Sequence, residues 1–353
     1  MKILVINPGS TSTKMAVYED LKPQYTTNIH HQAEQLANFA DVHDQYDFRR
    51  ELVLDELKTQ GIALDFDAVV GRGGIGKPVL GGVYVINEQM ISDNLHATYR
   101  HACNLGCKIA YDIAAMIPGC KAFIAEPGVV DELTPMTRLT GRPEMMRSCV
   151  WHALNQRAVA KQFAKECGRR YEDLKLIVCH LGGGISIAAH DHGRAVDVNN
   201  AINGEGPFST ERSGSFPSSD MVRLCFSGKH TEEELLKMIT GQGGVIAHLG
   251  TNDMREVMRR IDEGDAYAKL VVEAMVYNVA KWVCALGATF CGDVDAILIT
   301  GGVAHSTRIT DMLRKRIAFL APVHCYPGEN EQGALAEAAL AVLKGDTEAQ
   351  EYK

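Results

Sequence analysis

The sequence predicts an α/β fold that contains the same kind of domain twice, and two observations lead to this prediction. Residues 2–19 and 174–190 follow one pattern: an apolar strand, a tight turn of glycine and hydroxyl residues, and a second apolar strand. Elsewhere apolar strand patterns alternate with helical patterns, which is typical of α/β proteins. A chain of 353 residues is long enough for about two domains.

The turns of the two hairpins predict a phosphate site. In such a turn several backbone N–H groups point towards the tip, where they can bind an anion. Hydroxyl groups and a lysine add donors to the first turn, and three adjacent glycines let a bulky anion reach the backbone of the second. One such turn would favour an ordinary hairpin, whereas two favour a phosphate held between the halves. The candidate ligands are Asn7, Ser10, Ser12 and Lys14, and Gly182, Gly183 and Gly184.

Short apolar runs that end in glycine, proline or asparagine predict the strands. The N-terminal hairpin should pair residues 3–6 with 15–18. The run 66–70 leads into a glycine-rich segment, and 122–125 ends before Glu126 and a Pro-Gly pair. A second hairpin should begin at Leu176, and the run 296–300 leads into Gly301 and Gly302.

Apolar residues spaced three or four positions apart predict the helices. A polar loop over 196–220 is long enough to suggest a functional role, and the tail after Lys344 should be frayed. Gly106 is a weak point in the second helical pattern. We expect helices at 32–57, 95–116, 145–168, 231–240, 254–260, 266–287 and 331–343.

The composition excludes several classes of protein. The net charge is -8, the pI is near 5.9 and there is no basic block, so nothing indicates a nucleic-acid partner. The ten cysteines lack zinc-ribbon or redox spacing, which indicates reduced thiols in a reducing compartment. The apolar run 3–6 is too short for a signal peptide, and no uninterrupted run reaches the roughly 18 residues of a membrane span. We therefore expect a cytoplasmic protein that binds neither nucleic acid nor membrane.

A series of motifs, in one order from end to end, resembles the acetate and butyrate kinase family of the actin-like ATPase superfamily. The short chain and the sequence of residues 151–156 are more similar to the butyrate kinases than to the acetate kinases. The motifs are Asn7-Pro-Gly-Ser-Thr-Ser-Thr-Lys14, Val70-Gly-Arg-Gly-Gly74, Trp151-His152, His180-Leu-Gly-Gly-Gly184, Thr210-Glu-Arg-Ser-Gly214, Asp253-Met-Arg255, Ile297-Leu-Ile-Thr-Gly-Gly302 and Gly328-Glu-Asn-Glu331.

The resemblance implies a fold and an activity. The fold would be two actin-like, ribonuclease H-like domains with a ligand cleft between them, and the protein would form dimers or larger homo-oligomers. Residues 1–147 and 333–353 would form the acyl-substrate domain, and 148–332 the nucleotide-binding domain. The reaction would be Mg²⁺-dependent and reversible, from butyrate and ATP to butyryl phosphate and ADP.

The chemistry of this reaction explains why an acidic protein would keep a few cations in its motifs. A carboxylate that attacks the γ-phosphoryl group of ATP is already deprotonated, so it needs no general base. The difficulty is repulsion between two anions, which Mg²⁺ and cationic side chains relieve. By resemblance, Arg72 would bind the acyl carboxylate and Arg212 the phosphoryl group in transfer. His152 would donate to that group, and His180 would contact an ATP phosphate.

The remaining roles are also implied by the resemblance. Glu331 matches the metal-positioning glutamate of the family, and Asn7 would orient a metal-bound water. Asp253 and Arg255 would lie in the nucleotide loop, with Gly301 and Gly302 beside the adenosine. His101 falls near an active-site histidine of the family, although its neighbours match poorly, and would lie at the acyl substrate.

Two positions depart from the family pattern. Glu126 stands where the family has an aspartate, so either Glu126 keeps this catalytic role or Asp131 takes it. Gly74 stands where acetate kinases have a valine, which predicts space for butyrate or a branched acid of four to five carbons. The alternatives are an acetate or propionate kinase, a non-catalytic actin-like ATP switch, and a phosphohydrolase that uses water as the acceptor.

Overall fold

The computed structural model describes residues 1–353 and contains twelve strands. They are β1 (Lys2–Pro8), β2 (Ser12–Glu19), β3 (Lys22–His30), β4 (Ala68–Arg72), β5 (Val83–Val85), β6 (Lys121–Ala125), β7 (Lys175–Leu181), β8 (Ile185–Asp191), β9 (Arg194–Val198), β10 (Ala296–Gly301), β11 (Val323–Pro327) and β12 (Gln350–Glu351).

Thirteen α-helices accompany the strands, together with several short 3₁₀ turns. The helices are α1 (Ala33–Leu36), α2 (Tyr46–Thr59), α3 (Glu88–Leu95), α4 (Leu105–Ala115), α5 (Pro135–Arg138), α6 (Ala153–Glu166), α7 (Ser218–Cys225), α8 (Glu232–Ile239), α9 (Val245–Leu249), α10 (Met254–Asp262), α11 (Ala266–Leu286), α12 (Thr307–Ile317) and α13 (Glu331–Lys344).

The chain forms two compact units, and each contains the same arrangement of five strands. Unit 1 comprises residues 1–130 and 330–353, and unit 2 comprises 131–329. The first sheet has the order β12-β5-β6-β4-β1-β2-β3, and the second has the order β11-β10-β7-β8-β9. In both, an antiparallel three-stranded meander is followed by two strands parallel to its first strand. The predicted duplication therefore appears as one strand order used twice.

Both predicted hairpins form, but a third strand of the first meander was not predicted. Lys2 pairs with Glu19 at one end of the first hairpin, and Lys175 pairs with Asp191 in the second. The missed strand β3 lies at the edge of the sheet, where only β2 provides hydrogen bonds. Its residues are polar and mostly exposed, so it lacks the apolar run by which the predicted strands were recognised.

The two units have separate apolar cores. In unit 1, α4 packs on β4, where Gly71 and Gly106 approach so closely that a Cβ on Gly71 would lie 2.3 Å from the Gly106 oxygen. The apparent weak point in the helix is thus a contact between helix and sheet. In unit 2, α11 is long and apolar enough to cross a membrane by length and composition alone. Its buried side, which includes Val272 and Val279, packs into the core of the unit, as the central helix of a globular domain does.

Three predicted helices are shorter than expected. The range 32–57 is interrupted before α2, where Asp41 caps a 3₁₀ turn, and 95–116 is interrupted before α4, where His101 caps another. The range 145–168 becomes helical only at Ala153. The preceding residues form no helix. Arg147 among them donates to the Thr137 and Val198 carbonyls and pairs with two carboxylates, which fixes the segment against unit 2.

The boundary of the first unit lies at residue 130, before the predicted 147. Residues 131–147 belong to unit 2 because their polar groups bond to it. The backbone N–H of Thr134 donates to the Val196 carbonyl, and Arg157 pairs with Glu132 at 3.1 Å. The second boundary lies at 330, close to the predicted 333.

The C-terminal tail is ordered, so the expectation of a frayed end after Lys344 was wrong. β12 adds a parallel strand beside β5, with Gln350 opposite Tyr84. Tyr352 is buried, its hydroxyl donates to Asp93 at 2.9 Å, and its carbonyl accepts from Asn87. Two residues of strand and one aromatic ring are too short a pattern to be recognised in a sequence.

We predict that Tyr352→Ala destabilises the protein by about 3 kcal/mol, because the buried ring and its hydrogen bond to Asp93 are both lost. Urea unfolding followed by circular dichroism should show a lower midpoint. Lys353→Ala is the control, since Lys353 is exposed and should change stability by less than about 0.5 kcal/mol. Equal midpoints for the two variants would show that the tail does not contribute to the fold.

Candidate functional site

In unit 1, three predicted site residues lie at the same edge of the sheet. β1, β4 and β6 are parallel neighbours, with Ile6 opposite Gly71 and Arg72 opposite Ala125. Asn7, Arg72 and Glu126 therefore follow one another across the carboxyl ends of adjacent strands, which is where open α/β sheets bind their ligands.

Asn7, Arg72 and Glu331 form a hydrogen-bonded cluster at this edge. The Asn7 amide donates to Glu331 Oε2 at 2.7 Å, and Arg72 Nη1 donates to the same oxygen at 3.1 Å. Arg72 Nη1 also lies 3.5 Å from Asn7 Oδ1. Glu331 is the first residue of α13, where a carboxylate is favoured by the helix dipole. Both bonds end on Oε2, which leaves Oε1 of this buried carboxylate for a further ligand.

The first hairpin turn lies beside this cluster. The Gly9 N–H donates to the Ser12 carbonyl at 2.8 Å and closes the turn, while Ser10 at its tip is exposed. The Ser10 hydroxyl lies 3.4 Å from His101 Nε2, so the structure brings these two predicted residues together. Lys14 is exposed opposite Asn7 in the register of the hairpin, which places both side chains on one face of the sheet.

Arg49 is a residue of this region that the sequence analysis missed. Its guanidinium, fully buried, donates to the carbonyls of Ser10 and Ser12 at 3.3 and 3.0 Å, and to Thr13 Oγ1. Gln45 Oε1 accepts two further bonds. Burial lowers the pKa of Arg49 to about 10, and no carboxylate offsets the cost. A positive charge thus lies directly behind the first hairpin turn.

The signal for Arg49 was its position in α2. Arg49 precedes Val53 and Leu57 by one and two turns of the helix, on the buried stripe. An arginine on an apolar stripe indicates a buried polar role, whereas Arg50, the next residue, lies towards solvent.

The proposed space beside Gly74 is filled, so this expectation was wrong. A Cβ on Gly74 would lie 2.2 Å from Asn94 Oδ1 and 2.6 Å from the Asn104 Cα. The missing side chain therefore permits close packing, and the cavity that Gly74 lines has a volume of only about 10 Å³, too small for an acyl chain. A valine at position 74 would displace the Asn104 backbone and could not report on the size of the acyl site.

The structure separates the two candidates for the family aspartate. Asp131 belongs to unit 2 and makes two bonds with Arg138, at 2.6 and 2.8 Å. Glu126 follows β6 at the edge that carries Arg72, is buried, and has a left-handed backbone conformation with φ of 44°. Such strain in a residue other than glycine is common at functional sites. The geometry favours Glu126.

In unit 2 the equivalent edge carries His180, Thr300 and Glu329. β7 and β10 are parallel, with His180 opposite Thr300, and the chain after β11 reaches Glu329. His180 Nδ1 lies 2.9 Å from Asn155 Oδ1, and its Nε2 lies 3.1 Å from Glu329 Oε1. Thr300 Oγ1 lies 3.2 Å from the same Asn155 oxygen. His180 is thus held at both ring nitrogens.

His152 stacks on His180. The ring centroids are 3.7 Å apart and the rings are almost parallel, at 5°. His152 is the residue that precedes α6, so the backbone places it at the start of the helix, and its Nδ1 lies 2.8 Å from Ser186 Oγ. The two predicted histidines are therefore in direct contact, ring against ring.

Arg212 lies over the tip of the second hairpin. A Cβ on Gly184 would fall 2.2 Å from Arg212 Nη1, and one on Gly183 would fall 2.8 Å from Glu211 Oε1. The glycines therefore let the arginine and the glutamate approach the turn, in addition to any role in exposing its backbone. Arg212 Nη1 donates to the Ala201 carbonyl at 2.7 Å.

The predicted nucleotide loop joins this region through a residue that was not predicted. Asn252 donates at 3.0 Å to Oε2 of Glu211, which is the residue before Arg212. Asp253 caps α10 and pairs with Arg255 at 3.2 Å; the Arg255 side chain is 93% exposed and available to a ligand.

The third glycine turn contains two different glycines. Gly301 has φ of 92°, and a Cβ there would lie 2.3 Å from the Leu181 oxygen, so only glycine fits. Nothing lies within 4 Å of a Cβ on Gly302, and its backbone is open to an approaching ligand.

No group of three or more His, Cys, Asp or Glu side chains is arranged to hold a metal ion. The oxygens of Glu331 and Asn7 nevertheless have the chemistry that Mg²⁺ prefers, since this ion commonly binds one or two carboxylates and keeps several waters. This donor set fits a magnesium ion that also binds ligand phosphates.

Comparison with known proteins identifies the family. A match to the acetokinase family covers residues 142–326. A probable butyrate kinase of Bacteroides thetaiotaomicron is 55% identical over 353 residues, 100% of both chains. The chain belongs to the acetokinase family. Butyrate kinase 2 of Clostridium acetobutylicum is 49% identical and covers 100% of this chain and 99% of that protein.

Solved structures share the fold. The acetate kinase of Porphyromonas gingivalis aligns with a TM-score of 0.77 at 21% identity, over 97% of this chain and 99% of that one. A propionate kinase of Francisella tularensis aligns with a TM-score of 0.76 at 20% identity, over 96% and 98%. The duplicated strand order of this chain is therefore the actin-like fold predicted from its motifs.

We predict that Arg49→Lys lowers the free energy of unfolding by about 1–3 kcal/mol, because one ammonium group cannot satisfy the buried carbonyls that the guanidinium fork holds. Chemical denaturation measures the effect. Arg50→Lys is a matched control one residue away, where the arginine is partly exposed. A similar, small loss in both variants would contradict a special role for Arg49.

Proposed function

We propose that the chain is a short-chain fatty acid kinase that converts butyrate and ATP into butyryl phosphate and ADP, reversibly. The observation that carries this proposal is full-length similarity to proteins named butyrate kinase, at 46% to 55% identity. A butyrate oxygen attacks the γ-phosphorus of ATP, the bond to the β–γ bridging oxygen breaks, and ADP leaves. No proton has to be removed from the acid.

The residues of each unit support one part of this chemistry. In unit 1, Arg72 binds the acyl carboxylate through its planar fork, and Glu126 and His101 line the acyl side. In unit 2, Arg212 and His152 donate to the phosphoryl group, which gains charge on its equatorial oxygens during transfer. Acceptor binding thus depends on unit 1, and phosphoryl stabilisation on unit 2.

The nucleotide would be held by backbone and side chains that come from several turns. The hairpin turns supply N–H and hydroxyl donors to phosphates, His180 adds a ring nitrogen, and the open backbone at Gly302 admits the adenosine. The proposed phosphate and nucleotide ligands are Asn7, Ser10, Ser12, Lys14, His180, Gly182, Gly183, Gly184, Asp253, Arg255, Gly301 and Gly302.

Magnesium would neutralise the charge of the ATP phosphates when bound. Glu331 and Asn7 would hold it through their oxygens and through water. The bonds from Asn7 and Arg72 both end on Oε2 of Glu331, which supports Oε1 as the ligand atom. Arg72 bonds to the other oxygen of this carboxylate and keeps it oriented. We further propose a cytoplasmic location, as the composition suggests, and a homo-oligomer, as the resemblance to the family implies.

The preference for butyrate rests on the relatives' names, since the space beside Gly74 is filled. An acetate or propionate kinase remains the alternative within the family. A non-catalytic ATP switch would need no cation for an acceptor, and a phosphohydrolase would need a base to activate water. The cluster of Arg72 with Glu331 and Asn7 argues for an anionic acceptor.

We predict that acyl phosphate forms with ATP and is trapped by hydroxylamine most rapidly with acids of four or five carbons. The rate with acetate should be at least about 10-fold lower, because each missing methylene weakens apolar contact by about 1–3 kcal/mol. The assay compares acetate, propionate, butyrate, isobutyrate and isovalerate. A maximum at acetate would overturn the choice of acid, and no product in protein that binds ATP would overturn the kinase.

We predict that Arg72→Lys raises the KM for butyrate about 10-fold or more and changes the KM for ATP less than about 3-fold, because lysine keeps the charge beside Glu331 but cannot bind a carboxylate at two points. Steady-state kinetics with both substrates varied measures this. Arg255→Lys is the reciprocal variant, and its larger effect should fall on ATP. Equal effects of Arg72→Lys on both constants would remove Arg72 from the acceptor site.

A further inference from the structure

A chain of hydrogen-bonded side chains in unit 2 ends at His152, and the four behind it are buried. The four residues behind His152 were not assigned a role from the sequence. In order towards the site the side chains are Tyr171, His190, Gln156, Ser186 and His152.

The orientation of this chain is determined by a backbone carbonyl. Gln156 Nε2 lies 3.0 Å from the Ser186 carbonyl oxygen, which can only accept, so the amide nitrogen must face Ser186. Gln156 Oε1 then faces His190 Nε2 at 3.2 Å, and that nitrogen carries a proton. His190 Nδ1 accepts from the Tyr171 hydroxyl at 2.6 Å. Burial and the charge of Arg157 lower the pKa of His190 to about 3, which agrees with a neutral ring.

The Ser186 hydroxyl connects the oriented Gln156 amide to the His152 ring. Two N–H groups point at Ser186 Oγ: the Gln156 amide at 2.8 Å and the His152 backbone at 3.3 Å. A hydroxyl has two lone pairs and one hydrogen. Because both lone pairs are used, its O–H is donated to His152 Nδ1, 2.8 Å away.

We propose that Ser186 and Gln156 are positioning residues that hold His152 as the neutral imidazole with its proton on Nε2. This inference deepens, and rests on, the proposed function, in which His152 donates to a phosphoryl oxygen. Only the N–H form of Nε2 can donate there, since the opposite tautomer would present a lone pair to an anion.

The wild-type protein tests the hydrogen-bond pattern directly. Long-range ¹H–¹⁵N correlation spectra of the full chain with ¹⁵N-labelled histidine distinguish protonated from unprotonated ring nitrogens. The chain has thirteen histidines, and loss of one set of signals in His152→Gln assigns the relevant ring. We expect an unprotonated Nδ1 and a protonated Nε2 for His152 at neutral pH. A proton on Nδ1, alone or together with Nε2, would overturn the proposal without any reference to activity.

Ser186→Ala then tests the consequence for the reaction. Without the hydroxyl donor, the spectra should show His152 exchanging between both tautomers. The value of kcat should fall about 10-fold or more, while the KM values for ATP and butyrate change less than about 3-fold. Ser92→Ala is the matched control, because Ser92 is an exposed serine 3.4 Å from His96 Nδ1. It should leave the His152 signals and kcat unchanged.

The outcomes separate this inference from the proposed function. If no acid is phosphorylated but His152 shows the expected tautomer, the kinase proposal fails and the positioning of His152 stands. If the enzyme is active and Ser186→Ala keeps the wild-type kcat, the positioning role is wrong. Should Ser186→Ala fail to fold, Gln156→Met removes the amide donors behind Ser186, and a wild-type kcat in that variant would equally overturn the proposal.

Discussion

The hydrogen bonding of parallel strands is the constraint on which the site depends. Because β1, β4 and β6 are held in one register, their carboxyl ends lie at one edge, and residues far apart in the chain become neighbours there. Asn7 and Arg72 are 65 positions apart, and Glu331 is brought to them by a helix from the end of the chain. The second unit repeats this arrangement with β7, β10 and β11. Each edge therefore results from the strand order, and the chain contains this strand order twice.

The second physical theme is the placement of positive charge in an acidic chain. Arg49 donates to neutral oxygens of Ser10, Ser12, Thr13 and Gln45. Arg212 donates to the Ala201 carbonyl, and Arg72 pairs with Glu331. A guanidinium bonded to neutral oxygens can still attract an anionic ligand with most of its positive charge. Carboxylate partners would neutralise that charge. A protein of net charge -8 can in this way present positive groups where anions are to be bound. The buried charge of Arg49 is costly, which is consistent with a role at the turn that it supports.

Most glycines of the motifs allow another group to lie where a Cβ would be, and few of them leave open space. Gly71 and Gly106 bring α4 against β4, Gly184 admits the Arg212 guanidinium, and Gly301 avoids the Leu181 carbonyl. Among the glycines of the motifs, only Gly302 has no other atom within 4 Å of a Cβ placed on it. The pattern explains why a glycine in a motif can be interpreted in two ways from sequence alone, and why the interpretation of Gly74 was wrong.

The sequence by itself determined the duplicated α/β fold, both hairpins, most helices and the family, because these follow from local periodicity and from motifs of adjacent residues. It also named side chains that the structure gathers at two edges, such as Arg72 with Glu331 and His152 with His180. Only the tertiary structure decided what surrounds them. The edge strand β3, the ordered tail at Tyr352, the filled space at Gly74, the buried Arg49 and the orientation of the Ser186 hydroxyl all depend on partners distant in the chain. Such contacts are set by packing in three dimensions. Apart from the position of Arg49 on the buried stripe of α2, no local sequence pattern indicates them.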